Sequence, residues 1–271
     1  MDPGKRLRLD RLMNRRGVHR SEGGLFLVPL DHSVAQGPLA SSDGLVEIIE
    51  AIGRNGADGV VIHKGRVRFL DSLCPDLALV VHLSASTSHA PDADHKVLVA
   101  DVEQALRCGA DAVSVHVNLG SDTEAAQLAD LGRVAGECTV WGMPLIAMVY
   151  PRGPRIADAT DPELVAHAAN VAADLGADIV KTPYTGDVES MRDVVRSCPI
   201  PIITAGGEKA SSKEQLYSDI QDVMRAGAAG VAVGRNVFEA DDVVDVTRRI
   251  SRIVHRGMHG LGGVSKVSAT A

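Results

Sequence analysis

The chain has 271 residues, 45% of them hydrophobic and only 3% aromatic, enough for one large domain whose core is built from Val, Ala, Leu and Ile. That composition suits a parallel sheet buried on both faces. A net charge of −7, four dispersed cysteines (Cys74, Cys108, Cys138, Cys198) and the lack of a membrane-length apolar run argue against wholesale nucleic-acid binding, a disulfide framework or zinc site, and a membrane span.

Residues 1–22 carry Lys5, Arg6, Arg8, Arg11, Arg15 and Arg16 but no apolar signal-peptide region. They are predicted to form a basic helical extension that packs beneath the main domain or against a neighbour. A cytoplasmic protein with reduced thiols is the expected setting. Leu25 to Leu30 is the first predicted strand, and Asp43 to Arg54 the first helix of the domain.

From there a repeat recurs: Gly56-Ala57-Asp58, Gly109-Ala110-Asp111, Gly176-Ala177-Asp178 and Gly227-Ala228-Ala229 each precede a short β-branched run. Glycine suits the end of a helix and the run after it suits a strand. The runs Leu77 to Leu83, Pro144 to Val149 and Pro199 to Thr204 fall between them, for eight strands in all. Helices are predicted over Leu98 to Cys108, Glu124 to Cys138, Pro162 to Leu175, Val188 to Arg196, Lys213 to Ala226 and Asp241 to Val254. Gly65 to Asp76 is the weakest helix candidate, and the Gly/Ser/Ala-rich tail from Gly257 is expected to be disordered.

Alternating strands and helices mean parallel βαβ units, and eight of them mean a single (β/α)8 TIM barrel over residues 23–256 with an extra N-terminal helix. An open doubly wound sheet is disfavoured by the count of eight and by the lack of GxGxxG after the first strand.

Barrel chemistry collects at the C-terminal ends of the strands. Those ends read Asp31-His32, His63-Lys64, His82 to Ser84, His116 to Asn118, Tyr150, Lys181-Thr182, Gly206-Gly207 and Gly234-Arg235. Only seven of the 28 cations are lysines, and one of these, Lys181, ends a buried strand. An ammonium is unfavourable to bury, and a neutral amine is a nucleophile that forms Schiff bases with carbonyls. A structural lysine paired with a carboxylate is the competing reading.

Lys64 also ends a strand and is given a supporting role with His63 and His116. Tyr150 is a candidate proton shuttle, or else a rim tyrosine. Asp31 is a candidate proton acceptor or iminium counter-charge, or else a turn cap. His32, His63, His82 and His116 show no metal-ligand spacing, so no metal is expected. The paired glycines with Arg235 follow strands seven and eight, where barrels hold phosphate.

The combination Asp31-His32 with Gly37-Pro38, Tyr150-Pro151-Arg152-Gly153, Ile179-Val180-Lys181-Thr182, Ala205-Gly206-Gly207 and Gly234-Arg235 resembles the archaeal-type class I aldolases. The likeness runs from about Leu27 to His255 and is strongest to the branch that uses aspartate semialdehyde. The resemblance implies Lys181 as the Schiff-base lysine, Tyr150 as proton donor and Asp31 as proton acceptor. It implies Gly206, Gly207, Gly234 and Arg235 as the phosphate cradle, with His32, Ser33, Val34, Ala35, Pro151 and Arg152 as further substrate contacts.

The implied reaction condenses dihydroxyacetone phosphate with L-aspartate 4-semialdehyde, without a metal or other cofactor. A deoxy-diketohexose phosphate donor, fructose-bisphosphate cleavage, and a phosphate-binding barrel without Schiff-base chemistry are the alternatives. The partners implied are small phosphorylated ketoses and aldehydes, within a homo-oligomer up to a decamer. Two positions depart from the family pattern: Ser33 stands where the family has Gly, and Glu208 where it has Pro.

Overall fold

The computed structural model describes residues 2–14, 24–70 and 77–255. Eight parallel strands close into a barrel: β1 Leu25–Pro29, β2 Gly59–Ile62, β3 Ala78–His82, β4 Ala112–Leu119, β5 Leu145–Pro151, β6 Ile179–Thr182, β7 Ile202–Ala205 and β8 Gly230–Ala232. Closure is direct, because β1 pairs with β2 through Leu27 and Gly59 and with β8 through Leu25 and Gly230.

Outside the barrel lie α1 Pro3–Asn14, α2 Ser42–Arg54, α3 Val102–Arg107, α4 Glu124–Trp141, α5 Pro162–Asp174, α6 Val188–Ser197, α7 Lys213–Arg225 and α8 Val243–His255. One-turn helices at Ser33–Gln36, Lys64–Val67 and Arg235–Phe238 follow β1, β2 and β8. The tail from Gly257, residues 15–23 and the second half of the weak link, residues 71–76, lie outside the described residues.

Strand side chains alternate between two cores. Leu27, Val61, Val80, Ile146, Met148, Ile179 and Ile203 point into the barrel, while Val28, Val60, Val81, Ala147 and Val180 pack against the helices. The same alternation carries the inward face one step higher at each strand end. Above Ile179 comes Lys181, above Met148 comes Tyr150, above Val80 comes His82, and above Val61 comes His63. The polar ring of the mouth is therefore the next layer of an apolar interior.

The Gly-Ala-Asp repeat builds the opposite end. Asp58, Asp111 and Asp178 each accept the backbone N–H of the preceding strand region, from Phe26 (2.7 Å), Leu79 (3.0 Å) and Leu145 (2.8 Å). Each also meets a basic side chain: His255 Nε2 is 2.8 Å from Asp58, Arg11 Nε 3.5 Å from Asp111 and Lys5 Nζ 2.7 Å from Asp178. Two of these groups lie on α1, so the basic N-terminal helix plugs the barrel floor. Its Leu12 is fully buried against the interior cluster.

Two elements differ from the sequence expectation. The helix expected from Leu98 starts at Val102, where Asp101 caps it by accepting from Gln104 N at 2.7 Å. Val97–Leu98 instead pair antiparallel with Ser84–Ala85, forming a hairpin over the barrel mouth. A two-residue strand carries too little periodicity to be read in advance.

Candidate active site

A cavity of about 710 Å³ opens at the C-terminal ends of the strands. Lys181 lies in its wall and is only 7% exposed. Its backbone pairs with Met148, so Tyr150 stands on the neighbouring strand, on the same inward face and one pleat higher. Tyr150 packs on His116 with ring centroids 5.0 Å apart.

Asp31 sits in the turn just after β1. Its Oδ2 is 3.7 Å from His82 Nε2 and its Oδ1 is 3.6 Å from His32 Nδ1. Burial pushes its carboxyl toward neutrality, but His82, His32, Lys181 and His63 outweigh burial and hold it at about 2. Asp31 is therefore a carboxylate at neutral pH. Its buried Oδ1 has no hydrogen-bond partner among the described residues.

Three of the histidines, His82, His116 and His32, are held in their neutral forms. Burial brings His82 down to about 4 against the pull of Asp31, and its Nδ1 is 2.8 Å from Ser114 Oγ. Burial, with the charge of Lys96, puts His116 well below the usual imidazole range, although its bond to Asn118 Oδ1 at 2.8 Å acts the other way. His32 is also lowered, by burial first. Among the described residues no group of three His, Cys, Asp or Glu side chains is arranged to hold a metal ion.

Loops seven and eight are locked together. Asn236 Nδ2 donates to Gly206 O (3.1 Å) and Glu208 O (3.0 Å), and its Oδ1 accepts from Ala210 N (2.9 Å). Arg235 donates to Gly207 O at 3.1 Å. Gly207 has φ +67, a backbone that favours glycine, and a Cβ on Gly234 would stand 2.7 Å from Pro29 O. The two loops thus approach each other with bare backbone toward the cavity, a geometry suited to an anion.

Residues 25–240 match the family model described as the DeoC/LacD family aldolase. The chain belongs to the DeoC/LacD aldolase family. This aldolase is 47% identical over 266 residues to a 2-amino-4,5-dihydroxy-6-oxo-7-(phosphonooxy)heptanoate synthase of Streptomyces griseus, spanning 98% of the present chain and 94% of the relative. It is 43% identical over 257 residues to 2-amino-3,7-dideoxy-D-threo-hept-6-ulosonate synthase 1 of Archaeoglobus fulgidus, spanning 94% and 93%. Among solved structures it superposes with a TM-score of 0.82 and 28% identity on an archaeal fructose-1,6-bisphosphate aldolase whose catalytic Lys is covalently bound to the carbinolamine intermediate of the substrate. That match covers 92% of this chain and 99% of the other.

Of the residues singled out from the aldolase sequence, the cavity wall holds Asp31, His32, Val34, Ala35, His63, His116, Tyr150, Pro151, Arg152, Lys181, Gly206, Gly207, Gly234 and Arg235. Ser33 is not in that wall; it opens the one-turn helix after β1, and its carbonyl accepts from Gly37 N. Lys64 is not there either. Its Nζ donates to Gln104 Oε1 on α3 at 2.5 Å, which directs the charge away from the cavity. Sequence reasoning missed Lys96, which the hairpin carries to the wall with Ser84 and Ser86.

Proposed function

We propose that this aldolase joins dihydroxyacetone phosphate to L-aspartate 4-semialdehyde through a Schiff base on Lys181. The observation that carries the reading is the placement of Lys181: a buried amine on β6, facing a cavity it shares with Asp31, Tyr150 and the glycine cradle. The substrate pair is the three-carbon keto phosphate and four-carbon amino aldehyde that sum to the seven-carbon product in the name of the Streptomyces griseus relative.

In this reading the Lys181 amine adds to the donor ketone, and loss of water leaves an iminium. Asp31, ionised throughout the working pH range, faces that positive charge. A carboxylate held at about 2 is a weak base, so its part is electrostatic and proton transfer falls to the Tyr150 phenol.

The donor carbon beside the iminium gives its proton to the Tyr150 oxygen as that hydroxyl passes its own proton to water in the cavity, and the C–H electron pair becomes the enamine. That carbon attacks the aldehyde, the carbonyl electron pair moves to oxygen, and the oxygen takes a proton. Water then hydrolyses the iminium, freeing the amine and a seven-carbon amino keto acid phosphate. The amine is the electron sink, so the reaction as proposed needs no metal.

His63 and His116, polar groups in the same wall, support the shuttle, while Arg235 and the loop glycines hold the donor phosphate. The same reading takes the protein as a cytoplasmic homo-oligomer acting on small phosphorylated substrates. It places the product in aminohydroxybenzoate-type secondary metabolism.

The test is to incubate the enzyme and L-aspartate 4-semialdehyde with each ketose phosphate in turn and to identify the product by mass spectrometry. A seven-carbon product from dihydroxyacetone phosphate supports the reading. Turnover with 6-deoxy-5-ketofructose 1-phosphate alone defeats it.

A further inference from the structure

The cavity carries cations on two opposite rims. Arg235 stands on loop eight, beside the glycine cradle. Across the barrel, the hairpin after β3 carries Lys96, and the end of β5 carries Arg152. Among the described residues neither Lys96 nor Arg152 has a carboxylate within ion-pair distance; burial and then the charge of Arg152 disfavour the Lys96 ammonium, against the longer-range pull of Asp94, Asp31 and Asp92. Two like charges on one wall of a substrate cavity, neither in a salt bridge among the described residues, favour an anionic substrate group there.

Lys96 is held, not loose. The hairpin is pinned from below by two buried amides, Asn118 Nδ2 and Gln127 Nε2, which both donate to Asp94 O at 2.9 Å. At its far end Ser88 N donates to Ala35 O at 3.0 Å. Lys96 Nζ donates to Ser86 Oγ and to Ala93 O, the latter at 2.8 Å, so two of its three N–H bonds are used and one remains for a ligand.

The chemistry of this rim also differs from that of the cradle. Residues 84–96 contain no glycine, so no bare-backbone nest is offered to a phosphate. The anion is instead met by side-chain cations, which suits a small carboxylate.

We propose that Lys96, seconded by Arg152, binds the carboxylate of the aldehyde acceptor and thereby selects carboxylated aldehydes over neutral ones. This rests on the aldol reading above and names how its second substrate is recognised.

The experiment compares wild type, Lys96→Gln and Lys96→Arg with three acceptors: L-aspartate 4-semialdehyde, butanal and glyceraldehyde 3-phosphate. Borohydride trapping of dihydroxyacetone phosphate serves as the control for fold and donor half-reaction. Lys96→Gln is expected to trap donor normally and to lose about 10- to 100-fold in kcat/KM for the semialdehyde, the worth of one charge-assisted hydrogen bond. Butanal should change less than about two-fold, as expected where no interaction is lost. Lys96→Arg, which keeps the charge, should recover most of the loss.

Equal losses with semialdehyde and butanal, or no loss with either, overturn the inference while leaving the Schiff-base reading intact. A larger loss with glyceraldehyde 3-phosphate than with the semialdehyde also overturns it, since the rim is then a phosphate site. Failure of the wild type to trap donor overturns the aldol reading itself, and this inference with it.

Discussion

Asp31 Oδ2 and His82 Nε2 lie 3.7 Å apart at the barrel mouth, one a carboxylate and the other a neutral imidazole at neutral pH. The pair predicts a pH dependence of stability. His82 titrates near 4 in the folded protein against an ordinary 6.5, so between those values the unfolded chain binds more protons. Its contribution is complete above pH 6.5 and is lost as the pH falls toward 4, at up to ~1.4 kcal/mol per pH unit for one group. Asp31, at about 2 against 3.8, adds a loss of the same sign at lower pH. Denaturant midpoints between pH 7 and 4 should fall less steeply in His82→Gln, by one group's share; an unchanged slope contradicts the assignment.

Tyr150→Phe separates proton transfer from amine chemistry. The variant keeps the ring packed on His116 but loses the phenol hydroxyl. Turnover is expected to fall about 10²- to 10⁴-fold, while borohydride still traps donor on Lys181. Product formation near the wild-type rate would assign the proton to another group.

Arg235 tests the phosphate rim. Arg235→Met removes the guanidinium that bridges to Gly207 O. KM for dihydroxyacetone phosphate should rise about 10- to 100-fold, with unphosphorylated dihydroxyacetone unaffected. A parallel loss with both donors would mean a role in loop structure instead.

The floor makes a stability prediction. Asp178 holds both Leu145 N and Lys5 Nζ, at 2.8 Å and 2.7 Å. Asp178→Ala strands a backbone donor and a partly buried ammonium together and is expected to cost about 3 kcal/mol. Lys5→Met removes only the ion pair, worth about 1 kcal/mol. Urea midpoints check the order, and equal damage from the two variants contradicts it.

The barrel and most of its mouth were legible because two signals repeat. The Gly-Ala-Asp motif marks where strands begin, and the period-two alternation above Ile179, Met148, Val80 and Val61 marks which strand-end residues face inward. Lys64 shows where this runs out. It ends a strand as Lys181 does, but the one-turn helix that it opens and a glutamine forty positions away turn it outward.

Lys96 shows the converse. It lies in a polar segment between two-residue strands, and its place depends on amides 24 and 33 positions from the carbonyl they hold. Local pattern carries no record of such contacts. The ionisation of Asp31 was likewise hidden, since it is set by four cationic or imidazole groups from four other positions around the mouth.

The central claim is that Lys181 forms the covalent intermediate. The direct measurement is borohydride reduction in the presence of dihydroxyacetone phosphate, followed by peptide mass spectrometry. The account predicts one donor adduct, on Lys181, absent in Lys181→Ala and retained in Lys64→Ala. A wild-type enzyme that turns over but yields no adduct, or an adduct on another lysine, would contradict it.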